Sequence, residues 1–173
     1  MYKNLVWLIS LLSGCYAYSD TEIITVRMKE TTAPYNEIGT IQLQDTDNGL
    51  LVETALRNLS SGEHGFHIHE YPDCESGYDS NGALVPAQKA GGHFDPMGTE
   101  KHLGPHEHGH KGDLPALQVQ PDGTVKVKFY RPNLTLKEIK NRSLVIHEGG
   151  DNYMDVPLPL GGGGKRIACG IIR

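Results

Sequence analysis

The stretch Gly65-Phe66-His67-Ile68-His69 determines how the rest of the sequence is interpreted. Successive side chains of a β-strand point to opposite faces, so His67 and His69 share one face while Phe66 and Ile68 share the other. Two imidazoles on one face can bind a single metal ion while the apolar pair enters a core. An isolated pair with this spacing is also typical of surface histidines on an amphipathic strand. Further histidines downstream favour the metal-binding interpretation: His93, His102, His106, His108, His110 and His147.

Strand patterns occur on both sides of this stretch. Alternating apolar and polar residues, separated by turn sequences such as Asp47-Asn48-Gly49, predict seven further strands. The predicted strands cover residues 24–28, 41–43, 50–56, 65–69, 117–119, 125–129, 144–147 and 167–172. A capping box at Thr135 and Glu138 predicts one short helix near residues 136–140. Eight short strands and no long amphipathic pattern predict an all-β fold, an antiparallel sandwich or barrel of immunoglobulin-like type.

Two long segments, residues 70–113 and 149–164, lack this periodicity and are rich in glycine. Loops of such length inside a compact domain are usually functional or disordered. The first of them carries Cys74 and most of the histidines. A metal ion and a disulfide would explain how so long a loop stays ordered.

The N-terminal residues 1–17 have the pattern of an export signal, and residues 18–173 are interpreted as a single domain. Lys3 precedes a short apolar run that ends at Leu12, and cleavage after Ala17 fits a small-residue site. The sequence Leu12-Ser13-Gly14-Cys15 also resembles the lipobox of bacterial lipoproteins, in which the cysteine is lipidated. We expect ordinary cleavage, with lipidation of Cys15 as the alternative and the only route by which a membrane becomes a partner.

Charge and cysteine content narrow the function further. The net charge of −5 argues against a nucleic-acid partner. A small anionic substrate remains compatible with the negative net charge, because positive residues near a site can create a local positive potential.

After the signal is removed, Cys74 and Cys169 remain, and two cysteines in an exported protein predict a disulfide. Two free buried thiols are the alternative.

The remaining histidines suggest two different metals. His93, His102, His110 and Asp113 fall within one glycine-rich loop, and three imidazoles with one carboxylate suit a closed structural Zn²⁺ site. That leaves His67, His69 and His147 on strand segments, an all-imidazole set that suits Cu(II). Copper with an open face permits one-electron chemistry, which zinc alone does not.

Several motifs, in this order, resemble the copper–zinc superoxide dismutases, most of all their bacterial periplasmic branch. The resemblance extends from about residue 22 to the end of the chain. It rests on Gly65-Phe66-His67-Ile68-His69, Gly91-Gly92-His93-Phe94-Asp95-Pro96, Gly112-Asp113-Leu114-Pro115-Ala116-Leu117, His147-Glu148-Gly149-Gly150-Asp151-Asn152 and Gly161–Gly164 with Lys165-Arg166-Ile167-Ala168-Cys169-Gly170.

The resemblance implies an eight-stranded antiparallel Greek-key β-barrel with two long functional loops. It implies one copper per chain, bound by His67, His69, His93 and His147. It also implies one zinc per chain, bound by His93, His102, His110 and Asp113, so that His93 bridges the two metals. Cys74 would pair with Cys169, Arg166 would receive the superoxide anion beside the copper, and Asp151 would orient metal-bound imidazoles. The implied reaction converts superoxide to molecular oxygen and hydrogen peroxide.

Other functions stay open from sequence alone. The main alternative is a non-enzymatic periplasmic copper or zinc binding protein, which would need the ligands but not Arg166. A zinc hydrolase would need an open zinc position, whereas the set around Asp113 is complete. A monomer and a homodimer are both compatible with the resemblance. His106 and His108 match no ligand position and are interpreted as solvated loop residues, with metal capture as the alternative.

Overall fold

The computed structural model describes residues 21–173. The predicted export signal at residues 1–17, the cleavage point and the lipobox cysteine therefore lie outside the described residues. Within residues 21–173, no helix is long and apolar enough to cross a membrane.

The described chain is built almost entirely from antiparallel strands. In chain order they are β1 (Ile23–Glu30), β2 (Glu37–Thr46), β3 (Gly49–Leu56), β4 (Gly62–His64), β5 (Phe66–His69), β6 (Gly77–Tyr78), β7 (Leu84–Val85), β8 (Leu117–Val119), β9 (Lys128–Arg131), β10 (Arg142–His147) and β11 (Arg166–Ile172). Seven of them form one sheet in the order β5-β10-β11-β1-β2-β3-β9, while β4 pairs with β8 and β6 with β7.

The predicted eight-stranded Greek-key arrangement is confirmed, with one strand divided in two. The segment predicted at residues 65–69 continues backwards as β4, and the two parts separate at Gly65. Gly65 bonds to the end of β10, because its N–H donates to Gly149 O and its carbonyl accepts from His147 N–H. Pairings between strands distant in sequence, such as β1 with β11 and β3 with β9, are typical of Greek-key topology.

The strand predicted at residues 125–129 begins later than expected, because β9 starts at Lys128. The chain still runs beside β3, since Leu56 and Val125 exchange backbone hydrogen bonds. Between these points the Thr54 hydroxyl, rather than a backbone carbonyl, accepts the Val127 N–H at 3.0 Å. A side chain therefore interrupts the regular ladder, which alternation in the sequence does not reveal.

The main core lies between the inward faces of the strands. Phe66 and Ile68 of β5 are fully buried in it together with alternate residues of β1 and β2. β5 is buried on both faces, so His67 and His69 are also buried but belong to the opposite face. The predicted amphipathic strand is therefore an internal one, with the long loops covering its histidine face.

The predicted helix and disulfide are both present. α1 spans Leu136–Ile139, and the Glu138 carboxylate accepts the Thr135 N–H at 3.0 Å, as in a capping box. Cys74 and Cys169 form a disulfide between the first long loop and β11. The same loop contains the short β6–β7 hairpin and a 3₁₀ turn at Gln88–Ala90, which the sequence did not predict.

Candidate metal centre

The four histidines predicted to bind copper come together at one end of the sheet. His67 and His69 lie on β5, His147 ends the neighbouring strand β10, and His93 follows the 3₁₀ turn in the first long loop. One ring nitrogen from each of the four lies within 4.8 Å of the others, and all four side chains are buried. Residues separated by up to 80 positions thus offer nitrogen ligands to one point.

Each of the three strand histidines has one ring nitrogen paired on the outside of this group. His69 Nδ1 donates to Gly91 O at 3.0 Å, and His147 Nδ1 lies 3.3 Å from Gly164 O. His67 Nε2 bonds to Asp151 Oδ2 at 2.8 Å. These contacts select the tautomers that leave the opposite nitrogen free to bind an ion.

The second predicted group lies directly against the first. The Asp113 carboxylate is its centre, with Oδ1 at 2.9 Å from His93 Nδ1 and Oδ2 at 3.0 Å from His102 Nδ1. His110 is farther away, since its Nδ1 is 3.6 Å from Asp113 Oδ1. The tightest set of possible ligand atoms here contains His67, His93, His102 and Asp113, so the structure brings His67 close to this group and holds His110 at its edge.

Several buried polar atoms in the two groups have no hydrogen-bond partner. They are His67 Nδ1, His93 Nε2 and His110 Nδ1, together with His102 Nδ1 and Asp113 Oδ2, which lie 3.0 Å apart without hydrogen-bond geometry. Buried polar atoms without partners are rare and call for a physical explanation. Metal ions provide one, because the unpaired atoms are those that face the interior of the two groups. All-imidazole ligands suit copper, and three imidazoles with a carboxylate suit zinc.

Asp151 connects the two groups. Its carboxylate accepts from His67 Nε2 at 2.8 Å and from His102 Nε2 at 2.7 Å, and it is almost fully buried. One carboxylate therefore orients a histidine of each predicted metal site. The predicted orienting contact of Asp151 is present in the structure.

The electrostatic environment separates neutral from charged histidines. Burial lowers the pKa of His69, and it lowers the pKa values of His93 and His147 to about 3, so these rings stay neutral at pH 7. Burial also acts to lower the pKa of His102, but contacts with the Asp113 and Asp151 carboxylates outweigh it and raise the pKa to about 9. Burial opposes ionisation of the two carboxyls, yet their contacts with histidines hold both pKa values well below the usual range.

Arg166 is held beside the predicted copper ligands. Its guanidinium donates to Ala87 O at 2.6 Å and to Gly91 O at 2.7 Å. Gly91 O also accepts from His69 Nδ1, so one carbonyl positions the cation and a predicted copper ligand together. Gly91 adopts φ of +80°, and a Cβ atom there would lie 2.6 Å from the Tyr71 ring, so both backbone shape and space require glycine.

Two further histidine predictions have different outcomes. Because it precedes the strand that begins at Gly65, the sequence predicts that His64 is a turn histidine bonded to backbone, whereas the structure places it at the buried end of β4. The expected backbone bonding is present, because its Nδ1 donates to His147 O at 2.6 Å. His106 and His108 are exposed and belong to neither ligand group, which agrees with the interpretation as solvated loop residues.

Comparison with known proteins agrees with this geometry. The family described as "Copper/zinc superoxide dismutase (SODC)" matches residues 37–172, which is most of the chain. The chain belongs to the copper/zinc superoxide dismutase family. The resemblance found in the sequence is thereby confirmed, and it extends to the fold as well as to the motifs.

Individual members of the family are similar over nearly their whole length. The superoxide dismutase [Cu-Zn] of Brucella abortus is 49% identical over 155 residues, covering 88% of this chain and 89% of that protein. The Escherichia coli K12 protein of the same name is 41% identical over 167 residues, covering 96% of each. The solved Brucella abortus structure superposes with a TM-score of 0.84 and covers 88% of this chain and 100% of the other.

A second solved structure bears on assembly. It is the solution structure of the monomeric copper, zinc superoxide dismutase from Salmonella enterica. It is 44% identical, has a TM-score of 0.75, and covers 88% of this chain and 99% of that chain.

Proposed function

We propose that this chain is a bacterial superoxide dismutase, with one copper and one zinc per chain. The reaction consumes two superoxide anions and two protons and yields one molecule of oxygen and one of hydrogen peroxide. The observation that carries the proposal is the pair of adjacent buried ligand groups that share His93 and contain unpaired ligand atoms. Family membership gives the substrate, and the geometry gives the residues that act on it.

The ligand assignment follows the ring nitrogens that face the other members of each group. His67 through Nδ1 and His69, His93 and His147 through Nε2 would hold copper. His93, His102 and His110, each through Nδ1, and Asp113 would hold zinc. Copper, when bound, supplies a centre that can accept and return one electron. Zinc supplies no redox chemistry and would keep His93 and its loop in position.

Two residues, Arg166 and His93, would act directly in the reaction. Arg166 carries a permanent positive charge beside the copper ligands and would attract and orient the superoxide anion. His93 would hold a proton on Nε2 and deliver it to the product peroxide, while its Nδ1 remains on the zinc side.

A non-enzymatic metal-binding function is not favoured. Metal storage does not require a cation beside the ligands, whereas here three backbone carbonyls hold the Arg166 guanidinium against the ligand group. The similar proteins from Brucella and Escherichia are also named as superoxide dismutases.

The cellular setting is part of the proposal. The relatives compared are bacterial, and we infer export to the periplasm from the N-terminal pattern together with the disulfide. Anchoring through a lipidated Cys15 remains the alternative. The Salmonella relative makes a monomer the simpler expectation, and a homodimer the alternative.

Metal analysis combined with the rate of superoxide decay tests the function. We expect one copper and one zinc per chain and rapid decay in the fully loaded protein. His67→Ala should abolish copper binding and activity while much of the zinc stays bound, whereas His102→Ala should weaken zinc and retain copper. A loaded protein with no activity would refute the function, and loss of zinc without loss of copper in His67→Ala would refute the assignment of sites.

A further inference from the structure

Tyr153 makes three contacts that converge on the zinc-side segments. Its phenol oxygen accepts the Ala116 N–H at 3.0 Å, and its backbone N–H donates to Asp151 Oδ1 at 2.8 Å. Its ring lies against Gly104, where a Cβ atom would come within 2.6 Å of Tyr153 Cγ. Neither strand periodicity nor the motifs of the sequence single out this residue.

These contacts reach both ends of the loop that carries the zinc group. Gly104 follows His102 by two positions, and Ala116 follows Asp113 by three. Asp151 is the carboxylate that receives His102 Nε2. One side chain therefore touches the segments that carry two proposed zinc ligands, and its backbone holds the carboxylate that orients one of them.

The local geometry is built around this side chain. Tyr153 has a φ of +56°, a left-handed conformation that is uncommon for a residue with a side chain. Gly104 is buried and has a φ of +73°. Because glycine has no side chain, the Tyr153 ring can lie directly against its backbone. The Arg131 guanidinium donates to the carbonyl of Pro105, the residue after Gly104, so a second side chain also holds this segment.

We propose that Tyr153 is a positioning residue for zinc, which fastens the His102 and Asp113 segments to the turn that carries Asp151. This inference rests on the proposed function, because it takes His102 and Asp113 as zinc ligands. Tyr153 does not touch the copper group, since its contacts are with the zinc loop and with Asp151. Asp151 also holds the copper ligand His67, but it is the backbone of Tyr153 that contacts Asp151, so replacing the side chain should affect zinc retention rather than copper retention.

The test measures how fast each metal leaves the fully loaded protein when excess chelator is added. Tyr153→Phe keeps the ring against Gly104 but removes the acceptor for Ala116 N–H. We expect zinc release to be about fivefold faster, the equivalent of one hydrogen bond between uncharged groups. Tyr153→Ala also removes the ring and should release zinc faster than the Phe variant, while copper release stays at the wild-type rate in both.

Two further variants sharpen the test. Tyr130→Phe is the matched control, because Tyr130 lies on β9 with 43% of its surface exposed, and its zinc release should equal that of the wild type. Gly104→Ala introduces the Cβ that meets the ring, so it should also speed zinc release and shift the visible spectrum of cobalt(II) substituted for zinc. That spectrum reports the positions of the ligands and would not respond to a general loss of stability.

The outcomes separate this inference from the function on which it rests. If Tyr153→Phe and Tyr153→Ala both release zinc at the wild-type rate, Tyr153 has no positioning role, although the zinc site stands. If copper release accelerates as much as zinc release, the effect is a general loosening and the inference is wrong. If the wild-type protein binds no zinc in the first place, the proposed function fails as well.

Discussion

The contact between Asp151 and His102 leads to a prediction that can be worked out quantitatively. Asp151→Ala removes the carboxylate that receives His102 Nε2 at 2.7 Å and His67 Nε2 at 2.8 Å. Each is a hydrogen bond to a charged group, which contributes about 1.5–3 kcal/mol. A tenfold change in affinity corresponds to about 1.4 kcal/mol, so loss of one such bond predicts a roughly 10–100-fold loss of affinity.

The loss should be greater for zinc than for copper. His67 is held independently of Asp151, because it lies on paired strand β5 and its ring stacks on that of His93 at 3.9 Å. His102 lies in a loop, where contacts with carboxylates hold its ring. We therefore expect Asp151→Ala to lower zinc affinity by about 10–100-fold and copper affinity by less. Asp151→Asn, which keeps one acceptor oxygen, should fall between the Ala variant and the wild type.

Competition against a chelator of known affinity, followed by metal analysis, measures both affinities. Asp122→Ala is the matched control, because Asp122 is an exposed carboxylate in the turn before Thr124, and it should change neither affinity. Wild-type zinc affinity in Asp151→Ala would refute the argument, because the orienting contact would then contribute nothing. Preferential loss of copper would show instead that Asp151 acts mainly on His67.

Three further predictions concern His102, Arg166 and the exposed histidines of the zinc loop. Zinc must displace a proton from His102, because the pKa of this ring is raised to about 9. The apparent zinc affinity should therefore rise with pH and level off near pH 9. An affinity that stays constant between pH 7 and 9 would contradict this. Arg166→Ala should lower the second-order rate constant with superoxide about tenfold and weaken its salt dependence, and Arg166→Glu should lower the rate constant further. If the wild type and both variants have the same rate constants at low and at high salt, Arg166 does not guide the anion. If the exposed His106 and His108 capture metal, replacing both by alanine should slow metal loading when zinc is scarce, without changing the rate constant of the loaded enzyme. Identical loading curves would show that they are solvated loop residues.

Much of the barrel could be predicted because its strands alternate in hydrophobicity. β1, β2 and β3 have one face in the core and one towards solvent, which produces the period of two that the sequence shows. The Thr135–Glu138 capping box identified α1 for a similarly local reason. Where a side chain enters the ladder, as Thr54 does beside Val127, local alternation gave the strand but not its start.

The long loops were less predictable because their order comes from distant contacts. β6 and β7 have only two residues each, too few to produce a periodic pattern. Asp151 lies 84 positions from His67, and the pairing of β5 with β10 brings its turn close. Its role was available from the family resemblance and not from spacing. Residues 58–64 were predicted to form a turn, whereas the strand already begins at Gly62 and is only interrupted at Gly65.

The two halves of the site differ in what holds them in place without metal. The strands β5 and β10 carry three of the four proposed copper ligands, so backbone pairing positions them. The zinc side contains two buried carboxylates, Asp113 and Asp151, whose charges require a cation. Protonated His102 contacts both carboxylates and supplies one positive charge, in keeping with its pKa of about 9. Because this folded-state pKa lies above the ordinary 6.5, the stabilisation is complete below pH 6.5 and is lost as the pH rises through 9. Zinc binding to this group therefore exchanges the proton of His102 for the metal.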